Sequence, residues 1–320
     1  MPATLQRVQF EEPAPLPSLR PVRRGPKLGP GMLRFLRLLR LAFWRAFVHD
    51  AFATAKASAY SSILTFFPVL LIIGSGLATW RKGGPYLREI SYALGSILPV
   101  GNTTVLNYLK GAAKHPVGFL ITTSLITLWT ASGVMISWMD GFRRCYELPK
   151  TWGLVKERLI AFLLVVFALI PMTFATLLVA VGSKFETRIL LYMDRDFSVY
   201  VLLLWGASRW LIATLTSIAV TTLIYHHAVP RTQPWHSVIP GATLATVLWF
   251  SATIGFRSYL QNFGNFATIY GSLGVAMALL VWMYLISLAV LVGAEFNALL
   301  FPRAMLGKEL TAINSHKLAN

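Results

Sequence analysis

A single cysteine, Cys145, stands among 320 residues. That excludes an intrachain disulfide and leaves any thiolate metal site short of ligands. Acids are scarce too, with 12 aspartates and glutamates against 29 lysines and arginines. No paired carboxylates, Ser/His/Asp set or glycine-rich phosphate loop occurs in an aqueous setting, so the usual routes to hydrolytic chemistry are missing. His226 and His227 are adjacent and would project about 100° apart on a helix, which makes a poor metal pair. The reading is of a non-enzyme with no cofactor and no metal. Charge of either sign is sparse: 13% of residues, against about 25% in soluble domains. The net charge of +17 is read as attraction to anionic lipid rather than to nucleic acid.

What the chain has in excess is apolar sequence, 56% of its residues. Six runs are long enough to cross a hydrocarbon core of about 30 Å as helices. They fall at about 57–79, 118–139, 159–182, 199–225, 239–256 and 270–301. Barrel strands would instead alternate over about 10 residues. The fold class is therefore an all-α membrane protein, a polytopic bundle of six transmembrane helices. Before them, residues 1–31 hold seven prolines and the basic cluster Arg20, Arg23, Arg24 and Lys27, a composition that favours disorder. No apolar signal-peptide core follows them. Residues 32–50 place Arg34, Arg37, Arg40 and Arg45 on one edge of a helix otherwise filled by Leu, Phe and Trp. That pattern predicts an amphipathic helix lying at the bilayer interface. Two short interfacial helices are expected in the connection 83–117. The membrane domain spans 51–302 and a cytoplasmic tail occupies 303–320. Six spans put both termini on one side, and about two-thirds of the lysines and arginines fall there, so the positive-inside rule makes that side cytoplasmic.

Charges inside the runs are the candidate sites. Arg209 lies roughly 15 Å into the fourth span, where an arginine costs about 2.5–3.5 kcal/mol on insertion scales. It either bonds carbonyls exposed at a proline kink (Pro68 or Pro171) or lines a polar cavity that binds an anion, with Tyr60, Thr65 and Pro68 as the cavity's other candidates. Glu295 in the last span is roughly 37 Å from that helix's start, too far in depth to meet Arg209. It is assigned to a charge cluster on the terminal side with Lys56, Asp140, Arg143 and Arg144, as a boundary ion pair or a proton-coupling gate. Gly271, Gly274, Ala278 and Gly293 offer small residues for close helix contact, as do the pairs Ser132–Gly133 and Gly206–Ala207.

Some of these residues form a recognisable set. Tyr270-Gly271-Ser272-Leu273-Gly274, Leu279-Leu280-Val281-Trp282 and Gly293-Ala294-Glu295-Phe296-Asn297 together resemble the closing signature of the YihY/virulence factor BrkB family. Ala59-Tyr60, Thr65-Phe66-Phe67-Pro68, Trp129-Thr130-Ala131-Ser132-Gly133, Arg209-Trp210-Leu211 and Pro240-Gly241 are similar to its earlier spans. The resemblance covers about 45–300 and implies a bacterial inner-membrane protein. Members have been linked to ribonuclease BN, to serum resistance and to envelope lipid export. The leading reading is transport or flipping of an anionic envelope lipid or organic anion, with anionic membrane lipids as partners. A non-catalytic envelope scaffold is the alternative. A nuclease is disfavoured because no residues supply its chemistry.

Overall fold

The computed structural model describes residues 31–79, 90–91, 94, 102–112, 117–192, 195–230, 233–263 and 266–302. The proline-rich tail nearly to its end at residue 31, the whole C-terminal tail and most of the first predicted interfacial helix lie outside them. Among the described residues every regular element is a helix: α1 (Gly31–Val48), α2 (Ala51–Thr79), α3 (Asn102–Ala112), α4 (Val117–Cys145), α5 (Leu154–Tyr192), α6 (Arg195–His227), α7 (Trp235–Phe263) and α8 (Phe266–Leu300). Six of them are long and apolar enough to cross a membrane. Helices are what lipid demands, because each satisfies its own backbone hydrogen bonds.

The helices outrun the apolar windows. α5 begins at Leu154 and continues through Tyr192, so most of the stretch 183–198 between the third and fourth apolar runs is helical. α7 begins at Trp235, with Pro240 inside it rather than at its start. An apolar window measures only the lipid-facing length of a helix, and the backbone ladder does not stop at its edge. α4 ends on a backbone lock: Leu148 N–H donates to Arg143 O at 2.8 Å and Glu147 takes a positive φ of 52°, the left-handed cap that satisfies a last carbonyl.

Neighbouring helices pack in the order α2, α4, α5, α6, α7 and α8, and α8 returns to α2, which closes a ring. α4 also touches α8, and α3 packs on α2. The half of the bundle near the ends of α1 and α8 is solid. Met139 and Phe142 of α4, Ala161 and Leu164 of α5, Tyr225 of α6, Ala242 of α7 and Leu291 of α8 share one buried cluster there. α1 is not a purely surface helix. Leu38, Ala42 and Ala46 are buried in the same cluster, and Phe35 meets Phe296 edge-on at 5.8 Å. Its remaining faces expose Phe43, Trp44 and Phe47.

The tightest seam joins α7 to α8. A Cβ on Gly241 would overlap the Gly293 carbonyl and the Asn297 side chain. Only two glycines let the backbones come this close. The Asn297 Oδ1 accepts from Gly241 N–H at 2.6 Å, and its Nδ2 donates to Val238 O at 3.0 Å. Pro240 lies between these two positions and breaks the ladder. A side-chain amide inserted from the next helix thus supplies both a donor and an acceptor at the break. Beside it, Tyr225 Oη donates to Val290 O at 2.5 Å. Gly274 is buried and Ala278 half-buried on α8, and the surroundings of Gly271 lie outside the description. Gly206, expected at a contact, has nothing within 4 Å of a Cβ.

Candidate functional site

Two regions carry the unusual residues: a charged layer at the terminal side and a hollow in the opposite half.

In the charged layer the cluster expected around Glu295 separates into parts. Glu295 is 0% exposed. Its Oε1 lies 2.5 Å from His49 Nδ1 and its Oε2 makes an ion pair with Arg45 Nε at 3.3 Å. Both partners come from the end of α1. A sequence reading that placed α1 on the bilayer surface could not supply them. Arg45 Nη2 also donates to Cys145 O at 3.4 Å, so one guanidinium ties α1 to α4 and α8. Tyr146, one residue past α4, is buried, and burial pushes its phenol above the usual tyrosine range.

Arg143 does not meet Glu295. It pairs with Asp140 one turn back and with Glu157 of α5, and Lys150 Nζ reaches Glu157 at 3.4 Å. Arg144 faces Asp50 at 3.7 Å on the exposed surface, where a pair is worth little. Lys56 is exposed. Depth counting put these residues at one level but could not give their directions around each helix. Since Arg143 and Glu157 are both buried, Arg143→Ala should destabilise the fold by about 3 kcal/mol, because the buried carboxylate keeps only the half-exposed Lys150. Thermal unfolding of the purified protein in detergent checks this.

In the other half the ring is hollow. A cavity of about 730 Å³ lies between α2, α4 and α5, within the range of small-molecule sites. Its wall is apolar apart from hydroxyls such as Thr65, Ser124, Thr127 and Thr176. A second cavity, about 170 Å³, lies between α5, α6 and α7 and includes Trp210, Ser217, Trp249 and Thr253. Met172 and Thr176 line both. Two of the prolines inside the spans, Pro68 and Pro171, adjoin the lining residues Val69 and Met172. Each removes a backbone donor at the level where the helices part.

Of the residues expected to share a polar cavity, Thr65 lines the larger one, with its hydroxyl donating back to Ser61 O at 2.8 Å. Tyr60 does not, since it is 63% exposed on the outer face of α2. Pro68 is half-buried beside the cavity. Arg209 is half-buried, with its Nε shielded from solvent. It precedes Ala213 and Ser217, which line the smaller cavity, by four and eight residues, so it occupies the same face of α6 two turns nearer that helix's start. Arg158 belongs to α5 and lies against α4. Its Nη1 donates to Ser132 Oγ at 2.9 Å. No group of three histidines, cysteines or acids able to hold a metal occurs among the described residues.

This architecture, six apolar helices in a ring that is solid at one end and hollow at the other, defines a polytopic helical membrane protein. Within that class the chain belongs to the virulence factor BrkB family, whose model matches residues 42–312. It is similar to YfkH of Bacillus subtilis strain 168, named as a ribonuclease-like protein, at 27% identity over 86% of this chain and 98% of YfkH. It is similar to a UPF0761 membrane protein of Tolumonas auensis, 28% identical over 81% of this chain and 83% of the relative. Another UPF0761 membrane protein, from Vibrio vulnificus, is 29% identical over 77% of this chain and 76% of its own length. No solved structure matches.

Proposed function

We propose that this chain is a non-enzymatic transporter of the bacterial cytoplasmic membrane that moves an anionic envelope lipid or organic anion, with both termini in the cytoplasm. The reading rests on Arg209, half-buried on α6 one and two turns before Ala213 and Ser217, which line the smaller cavity. A guanidinium in low dielectric favours an anion strongly, and the bilayer supplies anionic lipid. The solid half would act as a seal on the terminal side, and the hollow half as the binding chamber. Excess basic charge near the termini supports the orientation. Catalysis has no support in the residues present, and the ribonuclease-like name belongs to YfkH.

In liposomes, flux of a labelled anionic phospholipid should fall about tenfold or more in Arg209→Ala, the effect of losing one charge-assisted hydrogen bond in a dry site. Unchanged flux in a folded variant would remove the reading's main support. The scaffold alternative draws on the exposed aromatic face of α1. Its clean test removes only residues 1–30, because α1 itself holds Glu295 in place. Under the scaffold reading that truncation abolishes the phenotype and Arg209→Gln does not.

A further inference from the structure

Arg158 is the fifth residue of α5, at the terminal side of the bundle. An arginine at such a place ordinarily sends its head outward to water. This one runs the other way. Ser132, which accepts its hydrogen bond, stands thirteen residues before Cys145 in α4, roughly 20 Å further into the membrane. The guanidinium carbon also lies 4.1 Å from the centroid of the Trp129 ring, and Trp129 is 58% exposed on the lipid-facing side. Two contacts therefore hold the cation inward, a hydrogen bond to a fully buried serine and a stack on an aromatic face.

The adjacent Glu157 is engaged by Arg143 and Lys150, and among the described residues no ion pair involves Arg158. Among the described residues only Nη1 makes a hydrogen bond to the protein, which leaves Nε and Nη2 as a donor pair. A half-buried cation with two open donors and no ion pair among the described residues can take an anion.

The neighbourhood says which anion. Arg158 precedes Val165 by seven residues and Ser132 follows Leu128 by four, and both Val165 and Leu128 line the 730 Å³ cavity. Arg158 shares the cavity-facing side of α5 with Val165, two turns nearer the terminal side, and Ser132 and Trp129 hold its guanidinium at the α4–α5 seam beside the cavity. An apolar cleft at membrane depth with one cation at its end matches an acyl chain attached to a phosphate.

We propose that the α2–α4–α5 cleft is a glycerophospholipid site: the cavity receives an acyl chain, and Arg158 binds the phosphodiester through Nε and Nη2. The site goes beyond the transport reading, since a resident lipid that never moves would fill it equally. The probes are phosphatidylglycerol and diacylglycerol, which has matching chains but no phosphate, each titrated into the delipidated full chain in detergent and read by native mass spectrometry. The wild type should bind phosphatidylglycerol about tenfold more tightly than diacylglycerol. Arg158→Ala should abolish that preference, and Ala131→Trp, which fills the cavity, should weaken both lipids. Ala168→Phe replaces Ala131→Trp if the latter does not fold. Equal binding of the two lipids by the wild type overturns the proposal, as does undiminished phosphatidylglycerol binding in folded Arg158→Ala or in the cavity-filling variant. Full competition by millimolar inorganic phosphate also overturns it, because it would show an ion site without a chain. Arg209→Ala should leave this binding unchanged, so loss of flux and loss of the site are read separately.

Discussion

Gly293→Ala, a change of one methyl group, should destabilise the protein by about 3–5 kcal/mol. The new Cβ would come within 2.5 Å of the Gly241 carbonyl oxygen and of the Tyr225 hydroxyl, and 2.8 Å from the Ala245 Cβ. None of these is the loose end of a flexible side chain. Overpacking a tight interface costs about 1–3 kcal/mol by itself. Here the Cβ would also push the Tyr225 hydroxyl off Val290 O, and the separation of α7 from α8 would stretch the bonds from Asn297 to Gly241 and Val238. Each buried polar group left without a partner adds about 1–3 kcal/mol. The Asn297 amide matters most, because it bridges the Pro240 break in an environment without water. Thermal unfolding in detergent is the measurement, with Gly206→Ala and Gly255→Ala as comparisons. Neither of those glycines has an atom within 4 Å of a built Cβ, so both variants should match the wild type or gain up to about 1 kcal/mol from helix propensity. If Gly293→Ala melts with these two, the seam is looser than described.

The same seam shows what could be seen before the structure. Gly293 and Asn297 stood out in the sequence as parts of a signature, and Pro240–Gly241 as another part, but nothing in a linear pattern says that one repairs the other across 56 residues. The six spans were legible because the bilayer imposes one length and one polarity on every crossing segment. The helix ends were not, since α5 and α7 continue beyond their apolar windows. Arg158 did not stand out, for the same reason: a charge ends a hydropathy window, whereas the direction of its side chain depends on Ser132 and Trp129 of another helix. The depth of Glu295 followed from counting residues. Its partners did not, because the arginine stripe on α1 reads as lipid-facing, and one of those arginines, Arg45, turns inward with His49. Burial of Leu38, Ala42 and Ala46 gives α1 a packed face that its alternation of Arg with Leu and Phe conceals.

Removing Arg45 should therefore loosen the whole of α1. In Arg45→Ala the carboxylate of Glu295, which has no exposure, keeps His49 and loses the partner that ties it to both α1 and the Cys145 carbonyl. Breaking a buried pair from one side costs about 3–5 kcal/mol, most of it the penalty of the charge left behind. Glu295→Gln should cost less, about 1–2 kcal/mol, because it removes the buried charge along with the pair and Arg45 retains partial contact with water. The double variant Arg45→Met with Glu295→Met should recover most of the loss, as apolar replacement of a whole buried pair commonly does. A coupling of about 1–3 kcal/mol between the two sites is then expected in a double-mutant cycle. The chain carries its own reporter. Cys145 is the single thiol, is buried, and lies directly under the Arg45 contact. A maleimide can reach it only when α1 lifts, so its labelling rate follows the local opening equilibrium. A loss of about 3 kcal/mol corresponds to labelling roughly 100-fold faster. Equal rates in wild type and Arg45→Ala would mean that α1 is held by its apolar face alone and that the buried carboxylate does not fasten it.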